Sequence, residues 1–559
     1  MACEATATCN AVSFLPNATG AGGGGTGSGK YTLYKKNVVQ HAPPGSGIAS
    51  TWIMSNNLAC RDFGVDLDTL GRASAGYAGI ARTDPEAIWA WQGYAIGVAG
   101  WSLFYQPTPW GMSKLRGFTT APPKGKFLLI DMSANGIGQW RGFLGKWSDT
   151  PFIWTSIHTY GGTDSLKGNL SRANRIPFDA FQAAEAGAGV TSGIAGSGIT
   201  AEGFDQNPVY YEVIQGAPWR KGPIKNLTEW VVQRAYRRYG ITSDDGTSRG
   251  KDVARAWALL EQSSYSEDLG VGDDTGVGQF PQSSIISYKR ELPHWSPDLA
   301  TPSPGLCKTW AAWGLLIKAA PGIDTSIANG SSVDGPFRYD LVNTGREVLA
   351  QLSTPLAINF SRAIGIMPTA AGGTGMGHPA TINRTGSAFV ELLRDLDDLV
   401  ATESSFLLGP WLRDARAKGV LNGTAQTDCT GTLVDSALKG DCRHFYEWGA
   451  RVQLTTWYPT AEGKPMPLRD TDYARKHWSP LVKDYYARRA ELLLEQALAD
   501  AAAGQSLDAA AVLKFRAQLA YNFTTSSATA QGYPLVPSPG YAAVSAAMHT
   551  KYAPIFASC

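Results

Sequence analysis

Gly196 to Glu212 reads GSGITAEGFDQNPVYYE. A short run of small and apolar residues ends at a glutamate, Glu202. Gly203 follows at once, then the polar Asp205, Gln206 and Asn207, and then Pro208 opens an aromatic segment. This is the order of a strand ending, a polar loop and a helix start, with proline at the first helical position. The C-terminal ends of strands are where (β/α) barrels keep their catalytic side chains. A carboxylate there, with loop amides beside it, can serve as nucleophile or base in glycoside hydrolysis. One glutamate taken alone is more simply a solvated loop residue, so its neighbours have to decide.

Upstream, from about 69 to 240, β-like and helix-like runs alternate. Ala87–Tyr94, Phe127–Ser133 and Phe152–His158 read as strands, as does Gly196–Glu202. Ala73–Ala81, Trp110–Phe118, Gly138–Lys146 and Phe178–Ala186 read as helices between them. Such alternation predicts a parallel α/β sheet or barrel. Only about four βα units are visible, and closing a barrel takes about eight. Downstream of about 226 the β signal disappears. Leu227, Trp230, Val231 and Ala235 share one helical face, and long helical patterns follow at 251–262, 307–318, 339–366, 388–418, 436–457, 470–502 and 507–521. The fold class expected is α/β plus all-α: a partial (β/α)8 TIM-type barrel over residues 51–240, then a large helical domain over 241–559. Residues 1–50, with Gly22–Gly25 in a Ser- and Thr-rich setting, have linker composition and are expected to be disordered.

A chain of 559 residues is too long for one core. A net charge of +2 gives no case for nucleic acid or an anionic membrane as partner. The N-terminus has no apolar signal-peptide core, and no apolar run is long enough to span a membrane. Seven cysteines are too few and too scattered for a disulfide framework or a zinc site, and no cofactor is expected. Cys429 and Cys442 bracket a polar loop and are the candidate pair. Eight N-x-[ST] sequons, at Asn17, Asn169, Asn226, Asn329, Asn359, Asn383, Asn422 and Asn522, lean toward the secretory pathway.

The segment from Gly196 to Gly240 resembles the lysosomal and plant-type α-N-acetylglucosaminidases, glycoside hydrolase family 89. Glu202, Gly203, Gln206, Asn207, Val209 and Tyr211 match the family's signature, and Arg237-Arg238-Tyr239-Gly240 match the end of its following helix. Further matches run in order. Trp89 with Gln92-Gly93, Ile130-Asp131, and Phe152-Ile153-Trp154 with His158, Gly161 and Gly162 lie upstream. Phe406 to Gly409 with Trp411, Gln453-Leu454-Thr455 with Trp457, Asp472-Tyr473-Ala474, and Tyr485-Tyr486 lie downstream.

The resemblance implies a retaining exo-glycosidase that removes terminal α-linked N-acetylglucosamine, including from heparan sulfate. It also implies lysosomal, vacuolar or secreted localisation. Glu202 takes the nucleophile position, and Trp101, His158, Asn207, Trp457 and Tyr473 are the expected sugar-binding residues. Trp101 is preferred over Tyr94 because Leu103-Phe104 follows it. In an α-linked sugar the leaving group and the 2-acetamido group share a face, so the acetamide oxygen cannot attack opposite the leaving group and a carboxylate must do so. The family's acid/base glutamate has no counterpart: residues 5 to 85 contain no glutamate, leaving Asp62, Asp66 and Asp68 as the nearby carboxylates. The alternative is therefore a silent or truncated homologue that keeps part of a sugar site. Self-association stays open.

Overall fold

The computed structural model describes residues 66–92, 116–132, 134, 150–158, 160–185, 194–202, 207–241, 248–266, 301–322, 334–367, 375–429, 440–464, 472–527 and 532–559, and two short strands nearer the start. Those strands, β1 (Ala11–Phe14) and β2 (Tyr31–Tyr34), pair antiparallel in a stretch expected to lack periodic structure. The rest of 1–50 lies outside the described residues, as do the helix expected at Gly138–Lys146 and the candidate Trp101.

The chain forms two compact units, Met1–Ser156 with Ile176–Gly198, and Ile157–Arg175 with Ile199–Cys559. The units do not part at residue 240: residues 157–175 and 199–240 already belong with the helical part. In the first unit, α1 (Leu67–Thr83) precedes a four-stranded sheet. Its order is β3 (Trp89–Gln92), β4 (Phe127–Asp131), β5 (Phe152–Ser156) and β6 (Ile194–Ile199). β3 and β4 run parallel with Trp89 opposite Phe127, and β4 and β5 run parallel with Leu129 opposite Phe152. Helix α2 (Leu170–Glu185) lies in sequence between β5 and β6, giving the βαβ order that parallel pairing requires. Trp89, Trp91 and Phe118 cluster around the buried Phe127, with ring centroids 4.0 to 6.5 Å apart.

The second unit holds the helices α3 (Pro208–Gln215), α4 (Leu227–Tyr239), α5 (Arg249–Glu261), α6 (Pro304–Ala319), α7 (Asp334–Ala363), α8 (Pro379–Val400), α9 (Leu408–Ala417) and α10 (Cys442–Leu454). A π-helical stretch, Val482–Ala487, leads into α11 (Arg488–Ala502). Then come α12 (Ala509–Thr525) and α13 (Tyr541–Tyr552). The only strands described after residue 240 are the two-residue pair β7 (Val420–Leu421) and β8 (Thr424–Ala425). Starts and stops follow local chemistry. Asn226 accepts the Glu229 amide at 3.0 Å to cap α4, and Gly240, at φ 61°, ends it.

Helix α7 is buried on nearly every side and packs along α8, with Phe360 of α7 beside Phe389 of α8 at 6.5 Å between ring centroids. It also carries buried Asp340, Asn343, Arg346, Glu347 and Gln351. A helix with polar groups in the interior must find partners for them. Its charged pair, Arg346 and Glu347, reaches out to the loop after β5.

Two disulfides tie this unit. Cys429 pairs with Cys442 as expected, and Cys307 pairs with Cys559, a bond spanning 252 residues that nothing local in the sequence announces.

Candidate functional site

Glu202 stands exposed just past the end of β6. Its carboxylate accepts a hydrogen bond from the backbone N–H of Gly161. Gly161 sits in a tight turn after β5 with φ 64°, a left-handed conformation that favours glycine. Space makes the same demand. A Cβ at this position would stand 2.5 Å from the carbonyl oxygen of Tyr473 and 2.8 Å from its ring. The nucleophile candidate and Tyr473 therefore touch the same glycine from two directions.

Trp457 lies against Tyr473 with ring centroids 4.9 Å apart and planes at 62°. Trp457 is about one-third exposed and Tyr473 half-buried. Trp457 itself and two residues close to Tyr473 in sequence stand on unusual backbone. Four non-glycine residues with positive φ occur among the described residues, and three are here: Trp457 at 59°, Asp472 at 57° and Arg475 at 43°. Backbone held in that region costs on the order of 1–3 kcal/mol per residue and persists only where the surroundings enforce it. Here Trp457 N–H donates to Val452 O at 2.8 Å, Asp472 N–H donates to Thr455 O at 2.5 Å, and the buried Asp472 carboxylate pairs with Arg489 at 2.8 Å.

The remaining expected residues are placed differently. His158 is fully buried, stacked on Tyr210 at 4.0 Å and edge-on to Tyr211 at 5.5 Å. Burial, with Lys167 adding to it, holds its imidazole well below the usual histidine range, so the ring is neutral. Asn207 is also fully buried. Its side chain does not cap α3. Instead its amide donates to Ser165 O at 2.8 Å and accepts from Lys167 N–H and the Tyr265 hydroxyl, each at 3.1 Å. Both side chains are fully buried, and Asn207 ties down the stretch that follows Gly161 through Ser165 and Lys167. The carboxylates considered for the missing acid are engaged as well. Asp66 caps α1 through the Thr69 amide at 2.8 Å, Asp68 pairs with Arg72 at 3.1 Å, and Asp62 lies outside the described residues.

Sequence reasoning missed Asp164. It is buried and accepts from the His477 amide at 2.8 Å and from the Lys476 ammonium at 3.2 Å. Its backbone carbonyl accepts from Arg346 at 3.2 Å, and Glu347 of α7 accepts the Leu166 amide at 2.8 Å. The one available signal was the charged pair Arg346-Glu347 in the middle of a long helix. Nothing local connects it to a loop some 180 residues earlier.

Among the described residues no group of three His, Cys, Asp or Glu could hold a metal ion. Among the same residues, no helix is long and apolar enough to cross a membrane.

The described residues thus form a parallel β/α segment followed by a large helical domain. The chain matches the tim-barrel domain of α-N-acetylglucosaminidase over residues 64–221 and that enzyme's C-terminal domain over residues 230–551. It is 31% identical over 433 residues to the α-N-acetylglucosaminidase of Homo sapiens, an alignment covering 77% of this chain and 48% of that protein. The chain therefore belongs to the α-N-acetylglucosaminidase family, and it spans about half the length of the human relative. Solved structures of a family 89 glycoside hydrolase from Clostridium perfringens share the fold. The complex with PUGNAc aligns at TM-score 0.60 and 20% identity, over 86% of this chain and 46% of that one. The complex with 2-acetamido-1,2-dideoxynojirmycin aligns at 0.60 and 19%, over 87% and 47%. A variant with two glutamates changed to glutamine, bound to its substrate GlcNAc-α-1,4-galactose, aligns at 0.60 and 20%.

Proposed function

We propose that this chain acts on terminal α-linked N-acetylglucosamine as a retaining glycosidase, with Glu202 as the nucleophile. The observation that carries the reading is the convergence on Gly161. An exposed carboxylate accepts that residue's amide, Tyr473 closes on the same glycine, and the partly exposed Trp457 lies against Tyr473. Family membership supplies the substrate class. In the first step Glu202 attacks the anomeric carbon from the face opposite the aglycone. The carbon–aglycone bond breaks and the leaving oxygen takes a proton from an acid. Water then hydrolyses the glycosyl ester with a second inversion, so configuration is retained. The Gly161 amide holds the carboxylate in its attacking orientation, and the aromatic pair offers apolar faces to the sugar's C–H bonds. His158 and Asn207 support the loop from beneath. Glycans such as heparan sulfate are the substrate class that fits. A lysosomal, vacuolar or secreted location fits the sequons, of which Asn226, Asn359, Asn383, Asn422 and Asn522 are exposed among the described residues.

A second reading is favoured by a specific observation. No glutamate occurs between residues 5 and 85, and the Asp66 carboxylate is committed to a helix cap. On this reading the chain is a silent relative that binds the sugar without cleaving it. Proton NMR of the first-formed sugar separates the two. Release of the α-anomer is expected of the retaining enzyme, and initial release of the β-anomer overturns the assignment of a nucleophile. Sugar binding with no release at all establishes the silent relative.

A further inference from the structure

We propose that Asp164 is a positioning residue of this site. It fixes the loop that presents the Gly161 amide to Glu202 against the loop that presents Tyr473. The proposal rests on the sugar-site reading given above.

The geometry is a clamp with Asp164 at its centre. Three residues before Asp164, the Gly161 N–H holds the Glu202 carboxylate. On the facing loop, Tyr473 lies three residues before Lys476 and four before His477, and these two residues are the ones Asp164 binds. One Asp164 oxygen takes the Lys476 ammonium at 3.2 Å and the other takes the His477 backbone amide at 2.8 Å. The two loops meet again at Gly161 itself, close enough that a single methyl group would collide with the Tyr473 carbonyl. Asp164 thus sets the spacing at one end of the contact, and the Gly161–Tyr473 apposition follows at the other.

Helix α7 backs the clamp. Arg346 donates to the Asp164 carbonyl at 3.2 Å and to His477 Nδ1 at 3.1 Å. An arginine can only donate, so His477 Nδ1 accepts and the ring is neutral. Burial, reinforced by the charges of Arg346, Lys476 and Arg475, keeps it so. Glu347 pairs with Arg346 at 3.2 Å and takes the Leu166 amide at 2.8 Å. Two acids and two bases close a neutral set in a nearly dry interior. Asp164, Arg346 and Glu347 are each less than a tenth exposed. Buried ionic sets of this kind contribute little net stability, and their best-attested use is to fix a register. The register fixed here is that of the two loops meeting at Gly161.

The test uses the full chain and 2-acetamido-1,2-dideoxynojirmycin as probe. Asp164→Asn removes the charge facing Lys476. The double variant Asp164→Asn/Lys476→Met removes both charges and leaves no uncompensated buried ion if the single variant fails to fold. Calorimetric titration reads affinity and binding stoichiometry separately, and hydrogen exchange reads peptides spanning residues 157–166. The expected result is stoichiometry at the wild-type value, affinity weakened about 10- to 100-fold, which corresponds to about 1.4–2.8 kcal/mol, and exchange of the Gly161 segment accelerated while α7 and α8 stay protected. A merely structural role predicts lower stoichiometry with unchanged affinity in the remaining folded fraction, and that result overturns the proposal. Unchanged exchange at residues 157–166 overturns it too. If the wild-type chain itself fails to bind the probe, the sugar-site reading falls, and the role of Asp164 falls with it. If the wild type binds and the variants bind equally well, only the Asp164 proposal falls.

Discussion

Replacing Gly161 by alanine tests the convergence at its tightest point. The residue has φ 64°, so any L side chain there adopts a left-handed conformation costing about 1–2 kcal/mol. The new Cβ would also stand 2.5 Å from Tyr473 O, where ordinary contact begins at 3.4 Å, so the two loops must part by about 0.9 Å (3.4 − 2.5). Overpacking of this kind typically costs about 1–3 kcal/mol, for a total of about 2–5 kcal/mol. A displacement near 1 Å between nucleophile and binding aromatics lowers kcat/KM about a hundredfold. Gly504→Ala is the matched control: φ is 69°, but no atom lies within 4 Å of the added methyl. The assay is chemical denaturation together with kcat/KM on a nitrophenyl α-N-acetylglucosaminide. Gly504→Ala is expected to lose about 1–2 kcal/mol and no activity, whereas Gly161→Ala loses both. If Gly161→Ala keeps wild-type kcat/KM and is no less stable than the control, the two loops do not form one site.

Three further outcomes rest on buried groups of the helical unit. Burial pushes the Asp397 carboxyl up to about 7, although hydrogen bonds from Ser479 and from the Lys483 amide pull it down. A folded value above the unfolded one means that the native state holds the extra proton. The group's stability contribution is therefore complete below pH ~4 and is lost as pH rises toward 7, by at most about 4 kcal/mol. Denaturation midpoints between pH 4.5 and 7.5 should fall more steeply in wild type than in Asp397→Asn, and parallel profiles would contradict this. Glu447 is fully buried between Arg451 at 2.8 Å and Arg416 at 2.7 Å. Glu447→Ala leaves two guanidinium groups without their anion and should cost about 3–5 kcal/mol in urea unfolding. The Cys307–Cys559 bond closes a far longer loop than Cys429–Cys442, 252 residues against 13. Chain entropy assigns about 5 kcal/mol to the first and about 3 kcal/mol to the second, so Cys307→Ser should lower the unfolding midpoint more than Cys429→Ser.

Much of the fold was legible because its signals are local. Four strand runs and the proline opening α3 can be read residue by residue, and they place Glu202 at a strand end. Where tertiary contacts decide, sequence reading erred. The single helix expected over 388–418 breaks at residues 401–407. There Glu403 caps the Ser405 amide and Leu408 N–H turns to Ser479 O, a partner 71 residues on (479 − 408). Helix α13 went unseen because Ala542, Ala543, Val544, Ala546 and Ala547 spread apolar surface around the helix and leave no stripe. Trp457 and Tyr473 could be named from the family signature, but their mutual contact and the left-handed backbone at Trp457 could not. His158 and Asn207 matched the same signature and are fully buried, because a motif records which residues occur and not how exposed they are. Asp164 was invisible for the simplest reason: its partners Lys476 and His477 lie 312 and 313 residues away.

The most direct test of Glu202 as nucleophile compares two substrates on wild type and Glu202→Gln. A positioned acid contributes about 10²–10⁴-fold by protonating a poor leaving group. A nitrophenyl aglycone leaves with little such help, and an alkyl glycoside of a natural glycan does not. With no glutamate between residues 5 and 85 and Asp66 committed to a cap, wild type should turn over the nitrophenyl α-N-acetylglucosaminide measurably and the natural glycoside barely. Glu202→Gln should abolish even the nitrophenyl turnover. Nitrophenyl turnover that survives in Glu202→Gln would show that another group attacks the sugar, and the account of the site would fail at its centre.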